Sequence, residues 1–299
     1  TLFTFAFRCS LLISIALLGA VTSLQAQTKP IKTGFVNAVY KDATGEHRYV
    51  VFIPKSYSPE KKYPVILFLH GAGERGSDGL KQTLVGLGPI VKQQASDFPF
   101  VVVFPQAENM KELLRGGWLA ETGDSKRALQ ILDTVMKDYS IDSKQQILTG
   151  WSLGGYGAWS LAAAFPKRWS AVAPLSGGGK SELAANLKQV PIWAFHGAKD
   201  RAVLPAESKQ IVDAVKQAGG NPRYTLVPDA GHDVWKVAYT KPLFDWMQNP
   251  SLMIDSSAPL LVKPDQKAPT EAGAETPFVP ELIIDDAVSV RLGNQFLQS

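Results

Sequence analysis

The pentad Gly150-Trp151-Ser152-Leu153-Gly154 has the Gly-x-Ser-x-Gly form in which a serine hydroxyl can act as a nucleophile. A hydroxyl is weakly nucleophilic until a neighbouring base takes its proton, so the histidines come next. There are four, His47, His70, His196 and His232. His47 lies in the polar segment Gly45-Glu46-His47-Arg48 and reads as exposed. His70 and His196 each close an apolar run and precede a glycine. His232 lies in Pro228-Asp229-Ala230-Gly231-His232-Asp233, beyond the last apolar run. The chain order nucleophile, acid, histidine places the base there. The acid belongs after a strand between the two, and Asp200 in His196-Gly197-Ala198-Lys199-Asp200 fits. Its carboxylate would fix the histidine tautomer and stabilise the imidazolium. Asp213 falls inside a helical pattern, and Asp229 and Asp233 are too near His232 in sequence to approach it from a separate loop.

Five residues can match a motif by chance, so the surroundings decide. Ile147-Leu148-Thr149 before the pentad reads as a strand, and Gly154-Gly155-Tyr156-Gly157-Ala158-Trp159-Ser160-Leu161 after it reads as a helix. A strand, a sharp turn and a helix are what the motif requires, because side chains at Gly150 or Gly154 would collide with neighbours. An oxyanion formed at Ser152 needs backbone donors. The Leu153 amide is one. The second is expected from the loop His70-Gly71-Ala72-Gly73-Glu74-Arg75-Gly76, at Ala72 or Gly71. The alternative, a glycine-rich connection with no role, is weakened by the loop's place at the same sheet end as the serine.

These residues need elements to carry them. Apolar runs at residues 48–54, 64–69, 100–104, 146–149, 171–173, 192–195 and 223–227 are short and suit strands buried on both faces. Helical patterns at residues 125–139, 154–165 and 206–219 separate them. A last helix is expected over residues 234–247, with a break near Pro242. Strands alternating with helices predict an α/β fold, a mostly parallel central sheet covered by helices on both faces.

The chain has 299 residues, 45% apolar and 19% charged, with a formal charge of +4. One large domain is expected over residues 32–249. The basic residues do not cluster, which argues against nucleic acid as a partner. Residues 1–26 read as a secretory signal peptide, with Arg8 before an apolar run too short for a bilayer span. Cleavage would leave no stable membrane anchor. Cys9, the only cysteine, would leave with the leader, and with it any disulfide, thiol nucleophile or zinc-thiolate site. Residues 254–299 read as a Pro/Ala/Glu-rich linker or tail, or the start of a further domain. Oligomeric state has no sequence signal.

Taken together, Phe68-Leu69-His70-Gly71-Ala72-Gly73-Glu74-Arg75-Gly76, the serine pentad, His196-Gly197-Ala198-Lys199-Asp200 and Gly231-His232-Asp233-Val234-Trp235 resemble the α/β-hydrolase superfamily. Within it they look like bacterial secreted carboxylesterases: feruloyl and acetyl-xylan esterases, polyhydroxybutyrate depolymerases and their "predicted peptidase" relatives. The resemblance implies hydrolysis of a small-molecule or polysaccharide-linked ester through an acyl-enzyme, with no cofactor and no metal. Many such enzymes use disulfides, so a cysteine-free mature chain points to the disulfide-free branch.

Three tryptophans flank these motifs. Trp118, in Gly116-Gly117-Trp118-Leu119, is expected in the pocket. Trp151 and Trp235 have two readings, stacking on sugar or aryl groups or packing in the core. Little chain separates Phe195 from His232, so an open site without a lipase-type lid is expected. Two other functions fit the same residues: a serine peptidase resembling the prolyl oligopeptidase group, and a catalytically silent binding module on the same scaffold.

Overall fold

The structure, a computed structural model, describes residues 31–109 and 117–251. The expected leader (residues 1–26) and linker or tail (residues 254–299) lie outside the described residues.

The strands are β1 (Gly34–Asp42), β2 (Gly45–Ile53), β3 (Tyr63–Leu69), β4 (Val101–Pro105), β5 (Ile141–Trp151), β6 (Ala171–Leu175), β7 (Trp193–Gly197) and β8 (Arg223–Val227). They form one sheet in the order β1-β2-β4-β3-β5-β6-β7-β8. β1 pairs antiparallel with β2 and β2 antiparallel with β4, and every later pairing is parallel. The helices are α1 (Leu87–Gln93), α2 (Gly123–Asp138), α3 (Leu153–Ala164), α4 (Ala184–Leu187), α5 (Pro205–Gln217), α6 (Trp235–Ala238) and α7 (Lys241–Gln248).

Alternation along the central strands feeds two cores. Val65, Leu67, Leu69, Val101 and Val103 face one, under Ala128, Leu132 and Val135 of α2, Trp159 of α3 and Ile211 of α5. Ile66, Phe68, Val102 and Phe104 face the other, with Leu87 of α1 and Leu243, Phe244 and Met247 of α7. Helices therefore cover both faces, as the runs of apolar residues require. Full burial of each such side chain contributes about 1.5–3 kcal/mol.

β1 and α1 are absent from the sequence reading. β1 is an edge strand with a half-exposed alternating pattern, and α1 carries Gly88 and Pro89 in only seven residues, so neither has a strong local signal. The last helix is two helices. The chain breaks at Tyr239 and Thr240, and Pro242 lies in the first turn of α7, where proline's missing N–H costs nothing.

His47 corrects its expected exposure. It is 5% exposed, with Nδ1 2.9 Å from Glu108 Oε2 and Nε2 3.1 Å from Asp42 Oδ1. Arg127 reaches the same carboxylates. Polar flanking residues suggest solvent; Asp42 is only five residues away across the β1–β2 hairpin, but Glu108 and Arg127 come from the loop after β4 and from α2, at distances in sequence that no local pattern reveals.

Candidate active site

The turn after β5 is built by what its glycines lack. A Cβ on Gly150 would collide with the carbonyl oxygen of Gly154, and one on Gly154 with that of Leu69. Ser152 has φ 57° and ψ −120°, a region costing a non-glycine residue about 1–3 kcal/mol. Its N–H donates to Leu175 O at 3.0 Å, so the neighbouring strand β6 holds the strained residue in place.

Two loops converge on it from β7 and β8. A Cβ on Gly197 would meet the carbonyl oxygens of Ala230 and Gly231, and Lys199 N–H donates to Ala230 O at 2.9 Å. The acid-bearing and histidine-bearing loops are thus packed backbone to backbone. His232 Nδ1 lies 2.8 Å from Asp200 Oδ2, and His232 Nε2 lies 2.9 Å from Ser152 Oγ. A carboxylate only accepts, so Nδ1 carries the proton and Nε2 is free to accept the serine O–H. Asp200 Oδ1 accepts the amides of Ala202 and Val203, both at 2.9 Å. Burial alone would raise the Asp200 carboxyl. Hydrogen bonds from His196, His232 and the Val203 amide, with the charge of His232, outweigh it and hold the group well below the usual carboxylate range. The structure brings Ser152, Asp200 and His232 together in one relay.

The loop after β3 is clamped at Gly71 from both sides. His70, buried and held neutral by desolvation with its pKa lowered to about 4, accepts the Ala107 N–H at Nε2 at 3.0 Å. Its Nδ1–H must then donate to Gly71 O, 2.7 Å away. The Glu74 carboxylate lies against Gly71, with Oε2 2.9 Å from where a Cβ would stand, and burial pushes it up to about 7 against the pull of the Gly71 amide and its own. In a trans peptide the N–H points opposite the carbonyl, so fixing Gly71 O on His70 turns the Ala72 N–H the other way. Of the two expected loop donors, Ala72 is the one whose amide neighbouring groups leave available. Leu153 opens α3, where the first amides have no intrahelical acceptor.

The tryptophans divide. Trp118 corrects the pocket expectation, being 0% exposed. Its indole N–H donates to His70 O at 2.9 Å, and its ring stands edge-on to the His70 ring. Gly157 makes room, since a Cβ there would meet the Trp118 backbone and side chain. Trp118 braces the loop from inside. Trp235 is also buried, packed at 6.5 Å on the Trp151 ring, in agreement with its core reading. Trp151 is half-buried, 5.0 Å from the His232 ring, and a Cβ on Gly71 would touch it at 2.8 Å.

The Esterase family model matches residues 42–238. The chain belongs to the Esterase family. A bifunctional acetylxylan esterase/xylanase of Neocallimastix patriciarum is 29% identical over 168 residues, 54% of this chain and 22% of that protein. Feruloyl esterase D of Neurospora crassa is 28% identical over 204 residues, 64% of this chain and 67% of that protein. Among solved structures, a thermostable esterase superposes with a TM-score of 0.60 at 26% identity, over 72% of this chain and 62% of its own. The esterase thus spans only about a fifth of the first relative. These likenesses agree with the α/β-hydrolase fold read from the motifs. Among the described residues, no helix is long and apolar enough to cross a membrane.

The sequence reading missed Glu74 and His196 as neighbours of the site. Each is one polar residue among several in a motif already quoted, and nothing local distinguishes a buried clamp from a loop residue.

Proposed function

We propose that the esterase is a secreted serine carboxylesterase acting through an acyl-enzyme. The observation that carries the reading is the two-bond relay from Asp200 through His232 to Ser152 Oγ. His232 Nε2 takes the serine proton as Oγ bonds to the ester carbonyl carbon. The carbonyl oxygen becomes an oxyanion facing the amides of Leu153 and Ala72. On collapse the C–O bond to the alcohol breaks, and His232 gives its proton to the leaving oxygen. Water, deprotonated by His232, then attacks the acyl-enzyme and releases the acid. Each step balances with side chains and water alone.

The substrate class rests on the relatives. Two are esterases whose names carry acetylxylan and feruloyl groups, which favours esters on plant cell-wall polysaccharide. Secretion rests on the expected leader. The test offers p-nitrophenyl acetate, methyl ferulate, acetylated xylan and a proline-containing peptide amide to wild type and to Ser152→Ala. Ester turnover abolished in the variant supports the reading. Preferred cleavage of the amide would make the chain a peptidase, and no turnover of any substrate would leave it a binding module.

A further inference from the structure

β7 ends in a second buried histidine that the mechanism above does not use. His196 is 0% exposed. Its Nε2 lies 2.9 Å from Val203 O and 3.2 Å from Asp200 Oδ2. Both partners are acceptors, so Nε2 carries a proton. Its Nδ1 lies 2.7 Å from Ser208 Oγ, which also reaches the carbonyl oxygen of Gly177. Gly177 in turn packs on the first turn of α3, where a Cβ would come within 2.6 Å of Tyr156 N. A chain of contacts therefore runs from Asp200 through β7 and α5 to the backbone behind the nucleophile's helix.

The consequence lies at one oxygen. Asp200 Oδ2 pairs with His232 Nδ1 at 2.8 Å and has His196 Nε2, whose N–H also faces Val203 O, beside it at 3.2 Å, while Oδ1 is occupied by two amides. A carboxylate oxygen shared between two donors is a weaker acceptor for each. Asp200 has no rotational freedom left, and part of its charge is drawn away from His232.

We propose that His196 is a positioning residue that fixes the Asp200 carboxylate and sets the pH at which His232 begins to act as a base. The other titratable groups facing this centre are Glu207 from the start of α5, whose carboxyl burial raises against the pull of Tyr156 and His196, and Tyr156 from α3, whose hydroxyl burial and the charges of Glu207 and Asp200 push up.

This proposal rests on the catalytic reading of Ser152, Asp200 and His232. Its test is the pH dependence of kcat/KM for p-nitrophenyl acetate in wild type, His196→Leu, His196→Gln and Ser208→Ala, with fluorophosphonate labelling of each. Without the Nε2–H, Asp200 acts on His232 alone and favours the imidazolium more. The acid limb of His196→Leu should then move to higher pH by about half a unit to one unit. His196→Gln, which keeps an N–H donor, should return it toward wild type. Ser208→Ala, which keeps the ring but releases its far side, should move it in the same direction by less, and serves if His196→Leu does not fold. An acid limb unmoved in the folded variants, whatever happens to kcat, would make His196 a packing residue and overturn the proposal. A wild type that neither labels nor turns over ester would instead refute the catalytic reading.

Discussion

Trp151 Nε1 donates a 2.6 Å hydrogen bond to the carbonyl oxygen of His232, so the residue before Ser152 anchors the loop that carries His232. The two rings lie 5.0 Å apart. The elbow and the histidine loop are therefore fixed to each other as well as through the Ser152–His232 contact. Trp151→Phe keeps an aromatic ring and loses only the N–H. A neutral hydrogen bond contributes about 1 kcal/mol, and kcat/KM should fall by roughly five- to tenfold, mostly in kcat. A rise in KM with kcat unchanged would show that the indole acts chiefly on substrate.

Trp118 makes the opposite prediction from the one its loop suggested. Trp118→Ala removes a fully buried indole and its bond to His70 O, which should cost about 3–5 kcal/mol in a urea melt. Activity should fall alongside stability, since the His70–Gly71 clamp loses its support. A variant of unchanged stability and raised KM would return Trp118 to the substrate pocket.

Gly154→Ala should destabilise the fold directly. The added methyl meets the Leu69 carbonyl, a backbone atom with no room to yield. A loss of at least ~3 kcal/mol is expected, read as a drop in Tm of roughly 6–12 °C for a domain of this size. A melting temperature within a degree of wild type would mean that the elbow tolerates a side chain.

Glu74 adds a pH dependence of defined sign. Burial raises its carboxyl from 4.5 to about 7, so between those values the folded state holds a proton that the unfolded state has lost. The stability it contributes is full below about pH 4.5 and is lost as pH rises through about 7, an effect on the order of 3 kcal/mol. Asp200 acts in the opposite sense and lower, its contribution lost only as pH falls below the ordinary 3.8. Glu74→Gln, neutral throughout, should flatten the urea midpoint between pH 5 and pH 8 relative to wild type. Parallel curves for the two proteins would place the titration elsewhere.

Much of the site was legible because the α/β chain order constrains it. Once Ser152 is placed after β5, the chain order puts the acid in the loop after β7 and the histidine in the loop after β8, and Asp200 and His232 both lie in the relay. What was not legible depends on contacts between distant segments. Gly71 and Ala72 are equivalent in sequence, and only the hold of His70 on the Gly71 carbonyl and the Glu74 side chain packed against Gly71 separate them. Trp118 follows a glycine in a loop, which suggests exposure. The missing Cβ of Gly157, in α3, lets that loop close on the helix. His47 reads as polar surface until Glu108, with Arg127 on it, arrives from elsewhere in the chain.

The central claim is that Ser152 Oγ, activated by His232, forms the acyl-enzyme. Its most direct test is fluorophosphonate labelling of the intact protein, followed by mass spectrometry of the modified peptide. The account predicts one adduct, on Ser152, absent in Ser152→Ala and strongly slowed in His232→Ala. An adduct on any other residue, or equal labelling of wild type and Ser152→Ala, would contradict it.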